Sequence, residues 1–308
     1  MNRCPITYEL CENNLYSKRG LYLLSKKLTQ LNPFPYSSKE QIHLATQFAT
    51  KLSIQGVQPK LSVKLNVAKR LFEVVETGGL FIFKPPHHLY EELPQNEDLT
   101  MKLASLVGIE IPLHGMSYNK DDSLTYFIKR FDRATRKQKI GVEDFSQLLG
   151  YSRDTKYESS MEKVISVVEK HCTFPMIEKA KLFRLTLFNF LIGNEDMHLK
   201  NFTLIRRNEK VELSPAYDLL NTAIVLQSKE EIALPIRGEK SKLTYDDLVD
   251  YFGIERLALP PKVLEKEISK FKAMQEHWKN LITNSFLSKS MQNQYISLIE
   301  NRFKQITL

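Results

Sequence analysis

The chain has 308 residues, of which 42% are hydrophobic and 26% are charged, the balance of a globular protein with a packed core. Its longest strongly apolar stretch, residues 185–192, is too short to span a bilayer, and Arg3 and Glu9 stand where a secretory signal needs an apolar segment. Three cysteines and no signal predict free thiols in the cytoplasm. The net charge of +8 permits contact with polyanions but does not by itself indicate a nucleic-acid-binding protein.

The first 133 residues predict a β-rich region. A helix is predicted over residues 97–107, with Asn96 as its cap, Gly108 at its end, and Leu99, Leu103, Leu106 and Val107 on one face. Alternating or extended apolar patterns predict four strands, at residues 61–65, 69–75, 80–84 and 125–131.

After Arg133 the predicted character changes. Residues 134–160 are polar and basic and are interpreted as a long surface segment. The remainder predicts a mainly helical region, with helices over residues 161–170, 175–192, 243–252 (ended by Gly253) and most of 262–306. The fold predicted is α+β and two-lobed, with a β-rich lobe over 1–133 and a helical lobe over 134–308.

The most informative segment follows the long apolar helix at 175–192. Asp196 and Asn201 stand five residues apart, the spacing of the base and the metal ligand in a kinase catalytic loop. Phosphoryl transfer needs a carboxylate to accept the hydroxyl proton and oxygen ligands to hold magnesium. Between them, His198 and Lys200 are positioned to steady the loop or to neutralise phosphate charge.

A predicted hairpin follows this loop, with extended runs at 202–205 and 211–213 around a polar turn. Asn201 precedes the hairpin and Asp218 follows it, so the two side chains are expected to meet. The competing interpretation is that Asp and Asn at turns cap local backbone. The buried helix, the spacing and the hairpin together favour catalysis.

Candidate nucleotide-binding residues lie in the first half. Lys84 ends a predicted strand and Glu97 opens the next predicted helix, an arrangement that in kinases orients a lysine toward phosphates. The alternative is a lysine at a strand end whose aliphatic part is buried and whose ammonium reaches solvent. Residues 53–60 contain one glycine, a weak match to a phosphate loop, and an ordinary turn is equally compatible. Residues 127–133 are interpreted as a hinge that holds adenine and ribose, or as a core strand leaving its sheet.

Taken together, these segments resemble one family, the HipA-like kinases, which are bacterial toxin kinases of toxin–antitoxin systems. The resemblance runs in the family's order from about residue 50 to about residue 240. It is carried by Ser53-Ile-Gln-Gly-Val-Gln-Pro-Lys60, Phe83-Lys84-Pro85, Asn96-Glu97, Lys129-Arg-Phe-Asp-Arg133, Asn194-x-Asp-x-His-x-Lys-Asn201, Ser214-Pro-x-Tyr-Asp218 and Ala233-Leu-Pro-Ile236.

The resemblance implies a role for each matching position. Asp196 is implied to be the catalytic base, helped by His198 and Lys200, while Asn201 and Asp218 are implied to hold Mg²⁺. The implied ATP-binding residues are Ser53, Gly56, Val57, Gln58, Lys60, Lys84, Glu97, Lys129, Arg130, Phe131 and Asp132.

The resemblance also implies regulation and partners. Ser53 is an expected autophosphorylation site, whose phosphate would repel ATP. Short relatives of the HipT type can carry a second serine two positions on, but Gln55 stands there, so one loop phosphosite is expected. The chain resembles that short form, whose missing N-terminal subdomain is supplied by a separate small protein. A DNA-binding antitoxin and an aminoacyl-tRNA synthetase substrate are the other expected partners, with nucleic acid contacted only indirectly.

Two alternatives stay open at this point. A small-molecule phosphotransferase would share the spacing from Asp196 to Asn201. A non-enzymatic nucleic-acid-binding regulator would suit the +8 charge, although no helix-turn-helix or zinc-finger signature is evident.

Overall fold

A computed structural model describes residues 2–49, 58–87, 89–152, 155–226 and 229–306 of the protein. The chain divides into two compact units. The N-terminal unit comprises Met1–Leu99, Pro112–Lys139 and Asn284–Phe286, and the C-terminal unit comprises Thr100–Ile111, Ile140–Thr283 and Leu287–Leu308.

The N-terminal unit is built on a five-stranded antiparallel sheet with the order β4-β3-β5-β7-β6. Its strands are β3 (Leu61–Asn66), β4 (Leu71–Val74), β5 (Phe81–Lys84), β6 (His114–Tyr118) and β7 (Leu124–Lys129). All four strands predicted in this region form, with ends that differ by a few residues. Strand β6 was not predicted; it starts with His114 and Gly115, which favour a strand little, and it is ordered by pairing with β7 along its whole length.

One face of this sheet packs onto an aromatic core. Phe72, Phe83 and Phe127 are fully buried, and the Phe72 and Phe83 rings lie 4.8 Å apart in an edge arrangement. The same core includes residues from the chain's first fifty, which form a hairpin and two helices: β1 (Asn2–Arg3), β2 (Leu10–Cys11), α1 (Lys18–Leu24) and α2 (Ser38–Ala49). All three cysteines of the chain are buried free thiols, as predicted.

Helix α3 (Leu93–Leu106) begins earlier than predicted, and one of its predicted apolar-face residues is exposed. Asn96 is not a cap: its N–H donates to the Glu92 carbonyl in a helical bond of 2.9 Å, and its side chain is buried. Pro94 lies in the first turn, where its missing N–H costs no helical hydrogen bond. Of the four apolar residues predicted to share one face, Leu99, Leu103 and Val107 are buried and Leu106 is 41% exposed.

Helices dominate the C-terminal unit. The longest are α5 (Met161–His171), α6 (Pro175–Ile192), α8 (Pro261–Thr283) and α9 (Lys289–Gln305). Helix α6 has the bounds predicted for it and packs against both α5 and α9. Trp278 of α8 is fully buried and meets the Phe188 ring edge-on at 5.6 Å.

The segment predicted as polar surface, residues 134–160, is partly structured. It contains β8 (Val142–Asp144) and α4 (Phe145–Leu149), which Asp144 starts with a reciprocal capping box to Gln147. Phe145 is fully buried. Strand β8 pairs with β9 (Thr203–Arg207), which pairs in turn with β10 (Lys210–Leu213), so tertiary pairing gives this polar segment its order.

A helical segment forms where one was predicted over 243–252, but its bounds and its predicted end at Gly253 are wrong. The helical segment is a π-helix, Asp246–Arg256, and it continues through Gly253. A Cβ at Gly253 would lie 2.9 Å from Leu264 Cδ2 of α8. Glycine stands there because α8 approaches closely, not because the helix ends. Within the part of the chain that the structure describes, no helix is both long enough and apolar enough to cross a membrane.

Candidate active site

The candidate catalytic loop leaves the end of a buried helix, as predicted. Helix α6 ends at Gly193, whose φ of 69° is left-handed and whose N–H bonds back to the Asn189 and Phe190 carbonyls. A Cβ at Gly193 would lie 2.6 Å from Leu298 Cδ2, so only glycine fits this turn. The packed helix therefore sets the point at which the polar residues emerge.

Side-chain amides hold this loop in shape. Asn194 donates to the Asn189 side chain at 3.0 Å and accepts from the Asp196 N–H at 3.1 Å. Asn201 Nδ2 donates to the Asp196 carbonyl oxygen at 2.7 Å, which closes the five-residue interval that the sequence singled out. The loop uses the Asn201 nitrogen, so its Oδ1 is the atom suited to a cation.

The Asp196 carboxylate faces solvent on one side and a tyrosine on the other. Its side chain is 49% exposed, and the Tyr157 hydroxyl donates a hydrogen bond to its Oδ1. No pattern in the sequence indicates this contact, because Tyr157 lies in the segment interpreted as polar surface. A carboxylate that already accepts from a hydroxyl has the geometry of a general base for an alcohol or phenol.

His198 lies beneath this carboxylate rather than in solvent. It is 5% exposed, its Nε2 lies 3.7 Å from Asp196 Oδ1, and Lys156 Nζ lies 2.7 Å from the same nitrogen. Burial lowers the pKa of His198, and the Lys156 charge lowers it further against the opposing effect of Asp196. A neutral imidazole accepts from the Lys156 ammonium, so His198 braces the loop. Lys200 is half-buried, and its carbonyl oxygen accepts from the Tyr217 hydroxyl at 2.9 Å.

The predicted hairpin forms and carries the two candidate metal ligands at its base. Strands β9 and β10 pair from Arg207 with Lys210 to Leu204 with Leu213, and Ser214 N–H extends the ladder to the Thr203 carbonyl at 2.8 Å. The Tyr217 hydroxyl then bridges Thr203 Oγ1 at 2.6 Å and the Lys200 carbonyl at 2.9 Å. Lys200 is the chain neighbour of Asn201 and Tyr217 is that of Asp218, so the bond between Lys200 and Tyr217 links the two segments that carry the candidate ligands.

Asp218 has an unusual backbone conformation and belongs to the same charged neighbourhood. Its φ of 53° is left-handed, a region that aspartate and asparagine enter more readily than most residues. Its negative charge acts to raise the pKa of His198, as the charge of Asp196 does. Both carboxylates therefore lie within electrostatic reach of one buried imidazole.

The donor set at the hairpin base fits a nucleotide-bound magnesium ion. Among the described residues, no group of three or more His, Cys, Asp or Glu could hold a metal by itself. Asn201 and Asp218 would offer one amide oxygen and one carboxylate. Mg²⁺ is commonly held in this way, by one or two protein oxygens completed by phosphate oxygens and water.

In the N-terminal unit, the predicted pairing of Lys84 with Glu97 is present. Lys84 Nζ lies 2.5 Å from Glu97 Oε1, and the two side chains are 4% and 5% exposed. Strand β5 turns Phe81 and Phe83 toward the aromatic core, so its alternation puts Lys84 on the other face, where its ammonium lies 5.5 Å from the Tyr126 ring centre. Lys84 is thus a paired, buried cation rather than a snorkelling one.

The predicted hinge segment follows β7. Arg130 N–H donates to the Leu80 carbonyl at 2.8 Å, and the Arg130 guanidinium holds both oxygens of Asp132, at 2.8 and 2.5 Å. Burial opposes ionisation of Asp132, but Arg130 and Arg133 outweigh it and hold the pKa of this carboxyl below its usual value. Lys129 is exposed and Phe131 is half-buried.

The candidate phosphate loop is described only in part. Ser53, Gly56 and Val57 lie outside the described residues. Gln58 and Lys60, which lead into β3, are half-buried.

Comparisons with known proteins identify the family of this chain. The HipA-like C-terminal domain family matches residues 52–278. A Haemophilus influenzae protein named "Putative kinase" is 26% identical over 93% of this chain and 92% of its own length. The serine/threonine-protein kinase toxin HipA of Shewanella oneidensis is 28% identical over 61% of this chain and 47% of its own length.

A solved structure shares the fold. It is a chain from the Shewanella oneidensis MR-1 toxin–antitoxin complex of HipA, HipB and operator DNA, with a TM-score of 0.70 at 22% identity over 91% of this chain and 73% of that one. This likeness confirms the predicted α+β, protein-kinase-like fold. Because the family match spans most of its length, the chain belongs to the HipA-like family of kinases.

Proposed function

We propose that this protein is an ATP-dependent serine/threonine protein kinase that acts as the toxin of a toxin–antitoxin system. The observation that carries the proposal is the Asp196 loop. A half-exposed carboxylate accepts a hydrogen bond from a hydroxyl, and Asn201 closes the loop five residues later. These are the parts that phosphoryl transfer to a protein hydroxyl needs.

In the proposed mechanism, Asp196 accepts the proton of the substrate hydroxyl as that oxygen bonds to the γ-phosphorus of ATP. The bond between the γ-phosphorus and the β–γ bridging oxygen breaks, and ADP leaves. Asn201 and Asp218 would hold Mg²⁺, which when bound neutralises charge on the phosphates. His198, with Lys156 against it, keeps the loop in place, and Lys200 is proposed to face phosphate charge.

ATP binding is proposed for residues 1–133 and catalysis for residues 134–308. Lys84, oriented by Glu97, would contact the phosphates. The segment Lys129, Arg130, Phe131 and Asp132 would hold the nucleoside, and Ser53, Gly56, Val57, Gln58 and Lys60 would cover the triphosphate. The 2.5 Å ion pair of Lys84 with Glu97 supports this assignment.

Regulation and partners are proposed from the family. Ser53 is the proposed autophosphorylation site, and Ser53→Ala is expected to keep ATP binding while losing phosphate from this loop. The relatives' names support the toxin role: one is a serine/threonine-protein kinase toxin, and the solved neighbour was complexed with HipB and operator DNA. A DNA-binding antitoxin, a small protein completing the N-terminal region, and an aminoacyl-tRNA synthetase substrate are the proposed partners.

Phosphoproteomics after brief expression tests the proposal. The wild-type chain and Asp196→Asn would be expressed to equal levels, and phosphoserine and phosphothreonine peptides compared. We expect sites on a cellular protein that only the wild type modifies. Equal phosphopeptide profiles, or transfer only to a small molecule when the purified chain turns over ATP, would contradict a protein-kinase function.

A further inference from the structure

Tyr157 occupies the place on Asp196 that an acceptor hydroxyl would take. Its hydroxyl donates to Asp196 Oδ1. Burial raises the pKa of Tyr157, and its hydrogen bond to Asp196 and the nearby negative charges raise it further. The phenol therefore stays protonated at neutral pH and needs a base before it can attack phosphorus.

Two neighbours hold the ring in this position. The His198 ring meets it edge-on, with the ring centres 4.9 Å apart, and Lys156 Nζ lies 4.9 Å from the ring centre. Lys156 also bonds to His198 at 2.7 Å, so the three side chains form one cluster beneath the carboxylate. These contacts orient the Tyr157 hydroxyl toward Asp196.

The acceptor is also accessible. Tyr157 is 39% exposed and the Asp196 side chain is 49% exposed, so a phosphate group can approach their contact from solvent. Lys156 would then lie beside the phosphate that a transfer leaves behind. A phosphotyrosine there carries about −1.5 to −2 charges at pH 7, which this ammonium would partly neutralise.

We propose that Tyr157 is an autophosphorylation acceptor of this active site, used within one molecule. The inference rests on the proposed kinase function and extends it to a tyrosine. Tyr157 Oη forms a bond to the γ-phosphorus of ATP, the bond from that phosphorus to the β–γ bridging oxygen breaks, and Asp196 receives the phenol proton. The products are phosphotyrosine and ADP. The product would cover the base and exclude further acceptors, so the reaction is self-limiting.

The test is phosphopeptide mapping of the purified full chain after incubation with Mg-ATP, with ADP release measured in the same tubes. We expect phosphate on Tyr157, and a first-order rate constant that does not change across a tenfold range of protein concentration. Asp196→Asn should lower the rate of Tyr157 modification by about 100-fold or more, the share that a general base supplies.

Tyr151 provides a matched control on the same segment. Its ring also lies near a lysine, with Lys163 Nζ 5.2 Å from the ring centre, but its hydroxyl bonds to Lys163 at 2.5 Å instead of to Asp196. Phosphotyrosine should therefore persist in Tyr151→Phe and disappear in Tyr157→Phe. The mapping on wild-type protein does not depend on how either variant folds.

The outcomes separate the inference from the function on which it rests. ADP release with phosphate on serine or threonine and none on Tyr157 would overturn the inference alone. A chain that neither forms ADP nor gains phosphate would overturn both. Equal modification of Tyr157 in Asp196→Asn would show that this carboxylate is not the base for the tyrosine.

Discussion

The ion pair of Lys84 with Glu97 and the loop around Asp196 are the two most specific parts of the candidate machinery, and they are built in opposite ways. The pair is almost fully buried and belongs to the packed interior of the N-terminal unit. The Asp196 carboxylate is half-exposed and depends on backbone and amide hydrogen bonds of its own loop. Substituting either member of the buried pair should therefore lower both stability and activity. Substituting the exposed loop carboxylate should lower activity and leave stability nearly unchanged.

Asp196→Asn is expected to have the largest effect, and it tests the half-exposed carboxylate. Asp196→Asn should lower the rate of phosphoryl transfer by about 10²–10⁴-fold, because an amide cannot accept the hydroxyl proton. Tyr157 can still donate to the new side-chain oxygen, so the free energy of unfolding should change by no more than about 0.5 kcal/mol. ATP turnover and urea unfolding measure the two quantities. A large loss of stability would show that Asp196 is structural.

Lys84→Met tests the buried side. Removing the ammonium takes away the cation that lies 2.5 Å from the buried Glu97 carboxylate, which should lower the free energy of unfolding by about 3–5 kcal/mol. ATP-dependent activity should fall at the same time. Lys64→Met, in the same sheet, is the matched control: its pair with Glu73 at 2.9 Å is 31% and 21% exposed, so a much smaller loss than in Lys84→Met is expected. Equal losses of stability in the two variants would show that burial does not distinguish the Lys84 pair from the Lys64 pair.

Arg184→Met asks whether the rule for buried pairs holds in the C-terminal unit. Arg184 donates to both oxygens of Glu267 at 2.6 and 2.8 Å, and the Glu267 side chain is 5% exposed. The expected loss in the free energy of unfolding is about 1–3 kcal/mol, measured by urea unfolding at pH 7. Lys270→Met is the control, since its bond to Glu267 is more exposed and should contribute much less.

This loss should depend on pH. Burial of Glu267 opposes ionisation, but Arg184 outweighs it and lowers the pKa of the carboxyl below its ordinary 4.5. A lowered pKa gives stability that is present above pH 4.5 and is lost as the pH falls through the folded-state value. The difference between wild type and Arg184→Met should therefore shrink in acid. A constant difference from pH 7 to pH 3 would exclude this pair as its source.

Tyr217→Phe should have the smallest effect and tests whether the hairpin base positions the metal ligands. The variant loses the bonds of the hydroxyl to Thr203 and to the Lys200 carbonyl, which should cost about 0.5–1.5 kcal/mol of stability. We also expect a higher Mg²⁺ concentration for half-maximal activity. Tyr22→Phe, at a 55% exposed position, should change neither quantity. An unchanged Mg²⁺ requirement in Tyr217→Phe would remove this bridge from the positioning of Asn201 and Asp218.

Much of the fold and part of the candidate site could be predicted from local pattern. Helix α6, the strands of the N-terminal sheet and the hairpin after Asn201 follow from apolar periodicity and turn residues, which act over a few neighbouring positions. Errors arose where distant contacts override local signals. Gly253 makes room for α8 inside a helical segment instead of ending it, and Phe145 is buried because β8 pairs with a strand some sixty residues later in the chain.

The same division applies to the chemistry. The order of residues along the chain specifies which groups are available: a carboxylate and an amide five residues apart, a second carboxylate beyond a hairpin, and a strand lysine ahead of a helical glutamate. Their surroundings depend on the folded structure. It buried the lysine against its partner, set a neutral histidine beneath Asp196, and brought Tyr157 onto that carboxylate from a segment with no catalytic signature. Residue spacing shows which groups lie close together through local chain geometry. Burial and hydrogen-bond partners depend on which distant segments pack against one another.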